Sequence, residues 1–178
     1  MTMRLLRCGA LLLGLLAALP SPTLAEPSLE FDLRVGPAIA LNDASDLKGT
    51  GAALSGAIMV GSSGGARYGV EIGGNLGHDN DTTIFQVGPV VRLQAKLSGR
   101  GFAYLIFGAG YYEMVAKNST LPSGEDDESN LGLNAGVGVL IPVSTHASLG
   151  VDVRYHRLVG SGEDPSYLVP GFLVTFTP

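Results

Sequence analysis

The chain has 178 residues, a formal net charge of −5 and 15% charged residues, and this length favours a single domain. Mean hydropathy is +0.30, yet residues 26–178 contain no apolar run of the roughly 18 residues that indicate a transmembrane helix. This combination disfavours a helical membrane protein and an ordinary secreted sandwich. It is expected of a β-barrel in which every second residue faces lipid.

The first 25 residues have the organisation of a secretory signal peptide. Arg4 and Arg7 form a basic segment, residues 10–19 are apolar, and Thr23 and Ala25 place small residues before a cleavage site. The apolar segment is shorter than the about 20 residues of an uncleaved spanning anchor. We therefore predict cleavage after Ala25, which leaves residues 26–178 as the mature domain.

The single cysteine bears on the stability of the exported chain. Cys8 precedes the apolar segment, whereas a lipoprotein cysteine would follow it. The mature chain is therefore predicted to lack both a lipidation site and any disulfide. Its stability must come from another source, such as a sheet that closes on itself within a membrane.

Eight segments of the mature chain alternate between apolar residues and small or polar residues. In residues 29–41 the odd positions are apolar, beginning with Leu29 and Phe31, and the even positions are polar or small, beginning with Glu30 and Asp32. A strand has a period of two, so one face suits lipid and the other suits a polar lumen. The predicted strands are residues 29–41, 51–61, 67–77, 85–97, 102–115, 131–141, 147–158 and 167–176.

Two features of these strands depart from the simple pattern. Both faces of residues 102–115 are apolar or small. Either the even-numbered residues, such as Tyr104, or the odd-numbered residues, such as Leu105, could therefore face lipid. Pro37, Pro89 and Pro170 lie inside strands, where each removes a hydrogen-bond donor from the ladder. We expect a bulge or a weakened hydrogen bond at each proline.

The connections alternate between long and short. Long polar connections at residues 42–50, 78–83, 117–130 and 159–166 follow the odd-numbered strands, and short turns at residues 62–66, 98–101 and 142–146 follow the even-numbered ones. Bacterial barrels have short periplasmic turns and longer extracellular loops. The long connections are therefore predicted to face outward and both termini to lie in the periplasm.

Three stretches resemble the outer membrane protein β-barrel domain family, the OmpA/OmpX/OmpW-like group of eight-stranded barrels. They are residues 102–112 (FAYLIFGAGYY), 131–139 (LGLNAGVGV) and 149–155 (LGVDVRY). The resemblance implies an all-β fold, an eight-stranded antiparallel up-and-down transmembrane β-barrel in the cell outer membrane. It also implies outer-membrane lipid, lipopolysaccharide and the barrel-assembly machinery as partners.

The end of the chain bears on that assembly machinery. Chains that resemble this one typically end on an aromatic residue that the machinery reads. Here Phe176 is in phase with Phe172 and Val174 on the outward face of the last strand, but Thr177 and Pro178 follow it. We predict that Phe172, Val174 and Phe176 form the assembly signal.

Two short motifs suggest chemistry and are better explained by structure. Gly108-Ala-Gly110 and Gly136-Val-Gly138 do not open a helix after a strand, so a dinucleotide loop is disfavoured and relief of crowding in a narrow barrel is expected. His146 and Ser148 could serve a lipid-modifying enzyme. Nucleophilic catalysis needs the base within reach of the hydroxyl and a third orienting group, and no acid is near in sequence. We expect no enzymatic activity and no cofactor.

The long connections are strongly acidic. Glu125, Asp126, Asp127 and Glu128 form a run whose spacing matches no ordered calcium loop, so a solvated loop tip is favoured over a calcium site. Across all four connections only Lys48 and Lys117 oppose the acids. Such a surface repels nucleic acid and could meet a divalent cation or a basic partner. The further acids are Asp43, Asp46, Asp79, Asp81, Glu163 and Asp164.

The inward faces carry a nearly balanced set of charges. A charge in a narrow lumen must be paired or wet, so we expect a salt-bridged plug, with Glu30, Arg67 and Lys96 nearer the rim. From the centre of the connection between the third and fourth strands, Glu71 and Arg92 are predicted to pair directly. The expected network is Asp32, Arg34, Glu71, Arg92, Asp152 and Arg154.

The sequence thus predicts a monomeric, non-enzymatic outer-membrane barrel with an envelope-structural or surface-interaction role through its acidic loops. The alternative is a narrow OmpW-like conduit for small apolar solutes, which would require an apolar lumen. A lipid-modifying membrane enzyme and a soluble secreted barrel are less favoured.

Overall fold

The computed structural model describes residues 27–41, 49–62, 64–78, 82–116, 128–159 and 165–178. These residues form eight strands, each paired antiparallel with its neighbours in sequence, and β8 pairs with β1 to close the barrel. The predicted number and order of strands are confirmed; several ends extend one to three residues beyond the predicted bounds, and β1 and β4 each end one residue earlier than predicted. The strands are β1 (Ser28–Ala40), β2 (Thr50–Gly61), β3 (Ala66–His78), β4 (Thr82–Lys96), β5 (Phe102–Ala116), β6 (Glu128–Pro142), β7 (Ala147–Val159) and β8 (Ser166–Phe176).

The alternating residues of each strand face opposite sides of the barrel, with polar residues toward the interior and apolar residues on the outer wall. Along β1, Glu30, Asp32 and Arg34 are buried, while Leu33 and Val35 are each 52% exposed. A water-soluble protein has the opposite arrangement, with charges outside and large apolar side chains inside. An exposed apolar wall around a polar interior is the arrangement that lipid requires.

The ambiguous strand β5 has a definite orientation. Tyr104, Ile106 and Tyr112 are buried inside the barrel, whereas Leu105 and Phe107 are exposed on the wall. The tyrosine hydroxyls explain this choice, because Tyr104 and Tyr112 find hydrogen-bond partners inside that the centre of a lipid wall would not offer.

Short turns and long connections lie at opposite ends of the barrel. Gly64 and Gly99 adopt positive φ values of 77° and 107° in two of the short turns, a conformation that glycine adopts without steric cost. We call this end, which also holds the first described residues and Thr177, the short-turn end. The opposite end is the long-connection end.

Prolines interrupt the ladder without changing its register. Between β1 and β8 the pairing runs to Val35↔Phe172 and resumes at Ile39↔Leu168, so Pro37 and Pro170 lie opposite each other in the gap. Pro89 lies in a similar gap between β4 and β5. The missing proline donors account for these gaps. The one irregularity of register between β3 and β4 lies instead between Asn75 and His78.

Candidate functional site

Among the residues that the structure describes, eight buried charged side chains face one another in the interior. Four are acidic and four are arginines, so their formal charges cancel. Each is at most 7% exposed, and burial of this kind requires pairing. The acids are Glu30, Asp32, Glu71 and Asp152, and the arginines are Arg34, Arg67, Arg92 and Arg154.

The first charged group is defined as Glu30, Asp32, Arg67 and Arg92. Arg92 Nη1 lies 2.7 Å from Asp32 Oδ2, and the Arg92 guanidinium also contacts Glu30. Arg67 Nε lies 3.4 Å from Glu30 Oε2. Thr175 Oγ1 donates to Asp32 Oδ1 at 2.9 Å, which ties β8 to β1 across their shared seam. The group therefore links β1, β3, β4 and β8 and has no net formal charge.

The second charged group is defined as Arg34, Glu71, Asp152 and Arg154. Asp152 accepts from Arg34 Nε at 2.7 Å and from Arg154 Nε at 3.0 Å. Arg154 also pairs with Glu71, whose other oxygen accepts from Gln86 Nε2 at 3.0 Å. This second group is also formally neutral, and it links β1, β3 and β7.

Tyr104 connects the two groups. Its hydroxyl donates to Asp152 Oδ2 at 3.0 Å. Its ring lies beneath the guanidinium of Arg92, with Arg92 Cζ 5.5 Å from the ring centroid, which is within the range of a cation–π contact. The eight charges and one tyrosine thus form a continuous polar plug across the barrel.

Glycines on β6 make room for this plug. A Cβ added at Gly136 would lie 2.7 Å from Arg154 Cγ, and one added at Gly138 would lie 2.5 Å from the Tyr104 hydroxyl. Both distances are shorter than any normal carbon contact. The expectation that Gly136-Val-Gly138 relieves crowding is therefore confirmed.

The predicted direct pair between Glu71 and Arg92 is wrong. Glu71 lies opposite Gly88, and Arg92 lies opposite Arg67, so the two side chains are four positions out of register. The error came from centring the hairpin on its connection, whereas β3 and β4 pair around a slightly earlier centre with an irregularity between Asn75 and His78. Glu71 pairs instead with Arg154, and Arg92 with Asp32 and Glu30.

The extent of the plug also differs from expectation. The structure brings the six predicted network residues into the interior. Glu30 and Arg67, which we expected nearer the rim, are buried at 4% and 3% exposure and complete the first group. Lys96 is exposed at the short-turn end, as its predicted rim position implies.

A polar aromatic layer lies on the long-connection side of the plug. The His156 ring stacks on Tyr167 with centroids 4.6 Å apart, and His156 Nδ1 is hydrogen-bonded to the Tyr112 hydroxyl at 3.1 Å. Asn134 Nδ2 donates to the same hydroxyl at 3.3 Å. The sequence does not indicate this cluster: Asn134 and Tyr167 lie on predicted inward faces, but the pattern of residues 102–115 leaves the orientation of Tyr112 open.

The filled space leaves little room for a passage at this level. A cavity of about 10 Å³ lies beside Glu71, Gln86, Tyr112 and Asn134, and such a space holds about one water molecule. Apolar side chains fill the lumen on both sides of the charges, including Ile84 and Leu158 toward the long connections and Met59 and Leu173 toward the short turns. The arrangement is a packed interior.

The family described as outer membrane protein beta-barrel domain matches residues 8–170. The chain belongs to this family. Comparison with curated proteins gives no significant match.

Solved structures show the same barrel at low sequence identity. Neisserial surface protein A (NspA) superposes with a TM-score of 0.72 at 13% identity, over 86% of this chain and 100% of that one. Ail, the attachment invasion locus protein of Yersinia pestis, gives 0.54 at 10% identity over 85% and 99%; Ail is also known in complex with the heparin analogue sucrose octasulfate. OprG of Pseudomonas aeruginosa gives 0.53 at 14% identity over 85% and 97%. At these identities the likeness establishes the fold.

The other sequence candidates have definite places in this outer-membrane barrel. His146 is exposed in a short turn, with Nδ1 2.8 Å from Thr145 Oγ1, and Ser148 is half-buried at the start of β7. Phe172, Val174 and Phe176 lie on the outer face of β8, where Phe172 and Phe176 are 70% and 50% exposed.

The acidic run lies largely outside the described residues. Glu125, Asp126 and Asp127 are in the stretch 117–127, and Glu128 begins β6. Within the described ranges, no group of three or more His, Cys, Asp or Glu side chains could hold a metal ion. No helix in the described part of the chain is long and apolar enough to cross a membrane.

Proposed function

We propose that this outer-membrane barrel is a non-enzymatic, sealed anchor that presents its four acidic connections at the cell surface, with both termini in the periplasm. The observation that carries the proposal is the interior of two neutral charged groups joined by Tyr104. A water-filled pore needs free space along its axis, and eight strands enclose an interior that side chains just fill. A barrel without a pore can still hold its connections at the cell surface, where they can contact a partner.

The distribution of charge supports this orientation. Because consecutive strands are antiparallel, all four long connections emerge at one end. In sequence they hold ten acids against Lys48 and Lys117. At the short-turn end, by contrast, the exposed charged side chains in the described residues are Lys96 and Arg100. The sequence therefore makes the long-connection end acidic, whereas the exposed charged side chains of the described residues at the short-turn end are basic.

The charge also indicates the kind of partner. The names of NspA and Ail describe a surface protein and an attachment protein, and a surface role for this chain agrees with that theme. Ail is seen with a polyanion, whereas a field of carboxylates attracts cations. We therefore propose a basic protein surface as the partner of the long connections.

The test is binding of a fluorescent polylysine probe to intact cells that display the barrel. A variant carrying Glu125→Gln, Asp126→Asn, Asp127→Asn and Glu128→Gln should bind clearly less probe, and the difference should shrink as salt is raised. Arg100→Gln at the opposite end is the matched control and should leave binding unchanged. Equal binding by wild type and the fourfold variant, at equal amounts of folded barrel, would rule the proposal out.

The alternative of a narrow conduit for small apolar solutes is less well supported. Apolar clusters flank the plug, but a solute would have to pass between the two charged groups. Because those groups fill the interior, a passage would require breaking ion pairs within them, which would leave charges unpaired in a dry interior at a cost on the order of 3 kcal/mol or more.

A further inference from the structure

The outer wall of the barrel carries an apolar groove that the surface role does not use. Its volume is about 580 Å³, and it extends from β5 across β6, β7 and β8 to β1. The side chains along it are almost all valine, proline, alanine and phenylalanine. The exception, Asp152, turns its carboxylate inward to Arg34 and Arg154. The groove is thus an apolar recess in the lipid-facing wall.

The pairing register shows how the groove runs. Ala103, Val139, Val151 and Phe172 are paired in succession and form one row across four strands. The groove lies along this row and the next, which ends at Pro170 and Pro37. Four interstrand steps of about 4.8 Å give a length of roughly 19 Å. The hydrocarbon core of a bilayer is about 30 Å thick, so the acyl chains of one leaflet span about 15 Å. A groove of roughly 19 Å that runs obliquely to the membrane therefore matches the length of one acyl chain.

The floor of the groove offers no hydrogen-bond donor at its far end. Leu41 N donates to Ser166 O at 2.9 Å, which shows that outward-facing residues of β1 and β8 direct their backbone groups toward each other. Pro37 and Pro170 are outward-facing, so the N–H that each lacks belongs in the seam between these strands. A polar ligand would find no donor there, whereas a hydrocarbon chain needs none.

The near end of the groove lies beside a positive charge. Ala103 is the second residue of β5, and the exposed Arg100 precedes it in the short turn from β4. Cations at the level of lipid headgroups attract phosphate.

We propose that this groove binds one anionic phospholipid, with an acyl chain along the groove from Ala103 to Pro37 and the phosphate at Arg100. The occupant is a lipid because the groove is continuous with the wall that the membrane already covers. The site is independent of the surface role, since its phosphate end lies at the short-turn end of the barrel.

The chain contains no tryptophan, so single tryptophan reporters can test the site. Leu105→Trp places one beside the groove, and Ile72→Trp places one on the opposite wall, on β3. Each variant is refolded into phosphatidylcholine vesicles that contain a small, fixed fraction of phosphatidylglycerol with brominated chains, which quench tryptophan on contact. We expect quenching at Leu105→Trp to exceed the value at Ile72→Trp about twofold or more.

Two further variants assign the effect to the groove and to the phosphate. Adding Val151→Phe to the Leu105→Trp variant should fill the groove and reduce its quenching to the level of Ile72→Trp. Val70→Phe, the same change on the opposite wall, should leave the quenching of Leu105→Trp unchanged. Adding Arg100→Gln should lower the relative affinity for phosphatidylglycerol about fivefold.

Several results would overturn the proposal. Equal quenching of the two reporters would show that the wall binds lipid without selection. Quenching at Leu105→Trp below that at Ile72→Trp would show that a protein, such as a second copy of the chain, covers the groove. Heat-dependent gel migration establishes that each variant is folded before it is compared.

Discussion

At the scale of the residue, Arg154 holds the second charged group together. Its guanidinium pairs with both Asp152 and Glu71 and is 1% exposed. Removing one partner of a buried pair leaves a charge without compensation, and that loss exceeds the net contribution of the pair itself. The consequence should be measurable as a coupling between residues on β3 and β7.

The first prediction concerns that coupling. Glu71→Gln and Arg154→Gln should each lower the free energy of unfolding in detergent by about 3 kcal/mol if the site is dry. The double variant should lose less than the sum, by about 1–3 kcal/mol. The Glu71→Gln and Arg92→Gln pair, which makes no direct contact, is the control and should be closer to additive. A larger coupling for the control pair would contradict the observed register.

The second prediction concerns the space around the plug. Gly138→Ala would place a methyl 2.5 Å from the Tyr104 hydroxyl, and such overpacking costs about 1–3 kcal/mol. At Gly56 an added Cβ would lie 3.6 Å from its nearest neighbour, Asp32 O, so Gly56→Ala should be neutral or stabilising. Urea unfolding in detergent compares the two. Equal stability of both variants would mean that the interior tolerates more volume than the packing indicates.

At the scale of the element, how far the sequence predicts the structure depends on the kind of information. Strict alternation assigned the faces of β1 and β7 correctly, since a period of two leaves no choice once one face is apolar. Alternation could not orient β5, because both of its faces are apolar or small and only the partners of Tyr104 and Tyr112 decide. Register was less predictable, as the Glu71 and Arg92 pair shows. It depends on local irregularities that hydrophobic pattern does not encode.

The third prediction belongs to β8. Phe176 lies on the outer face with Phe172 and Val174, and we propose that these three residues form the assembly signal. Phe176→Ser should lower the folded fraction in the outer membrane several-fold, whereas deletion of Thr177 and Pro178 should leave it unchanged. Heat-dependent gel migration of membrane extracts gives the folded fraction. The opposite result would place the signal at the last two residues.

At the scale of the whole molecule, the distribution of polar and apolar side chains is the reverse of that in a water-soluble protein. The barrel's charges are paired within, and its apolar side chains face the membrane. The sequence places ten further acids in the four long connections. In the function that we propose, the paired interior and the acidic connections are complementary, because a rigid anchor requires that the charges inside the barrel are satisfied internally.

The seal itself is the central claim and can be measured by conductance across planar bilayers. Wild-type barrel should show no sustained single-channel steps at moderate salt, because the two charged groups and Tyr104 fill the cross-section. The combined Glu71→Ala and Arg154→Ala variant, folded by gel migration, should show small steps where the wild type shows none. Sustained open-channel steps from the wild-type barrel would contradict the account.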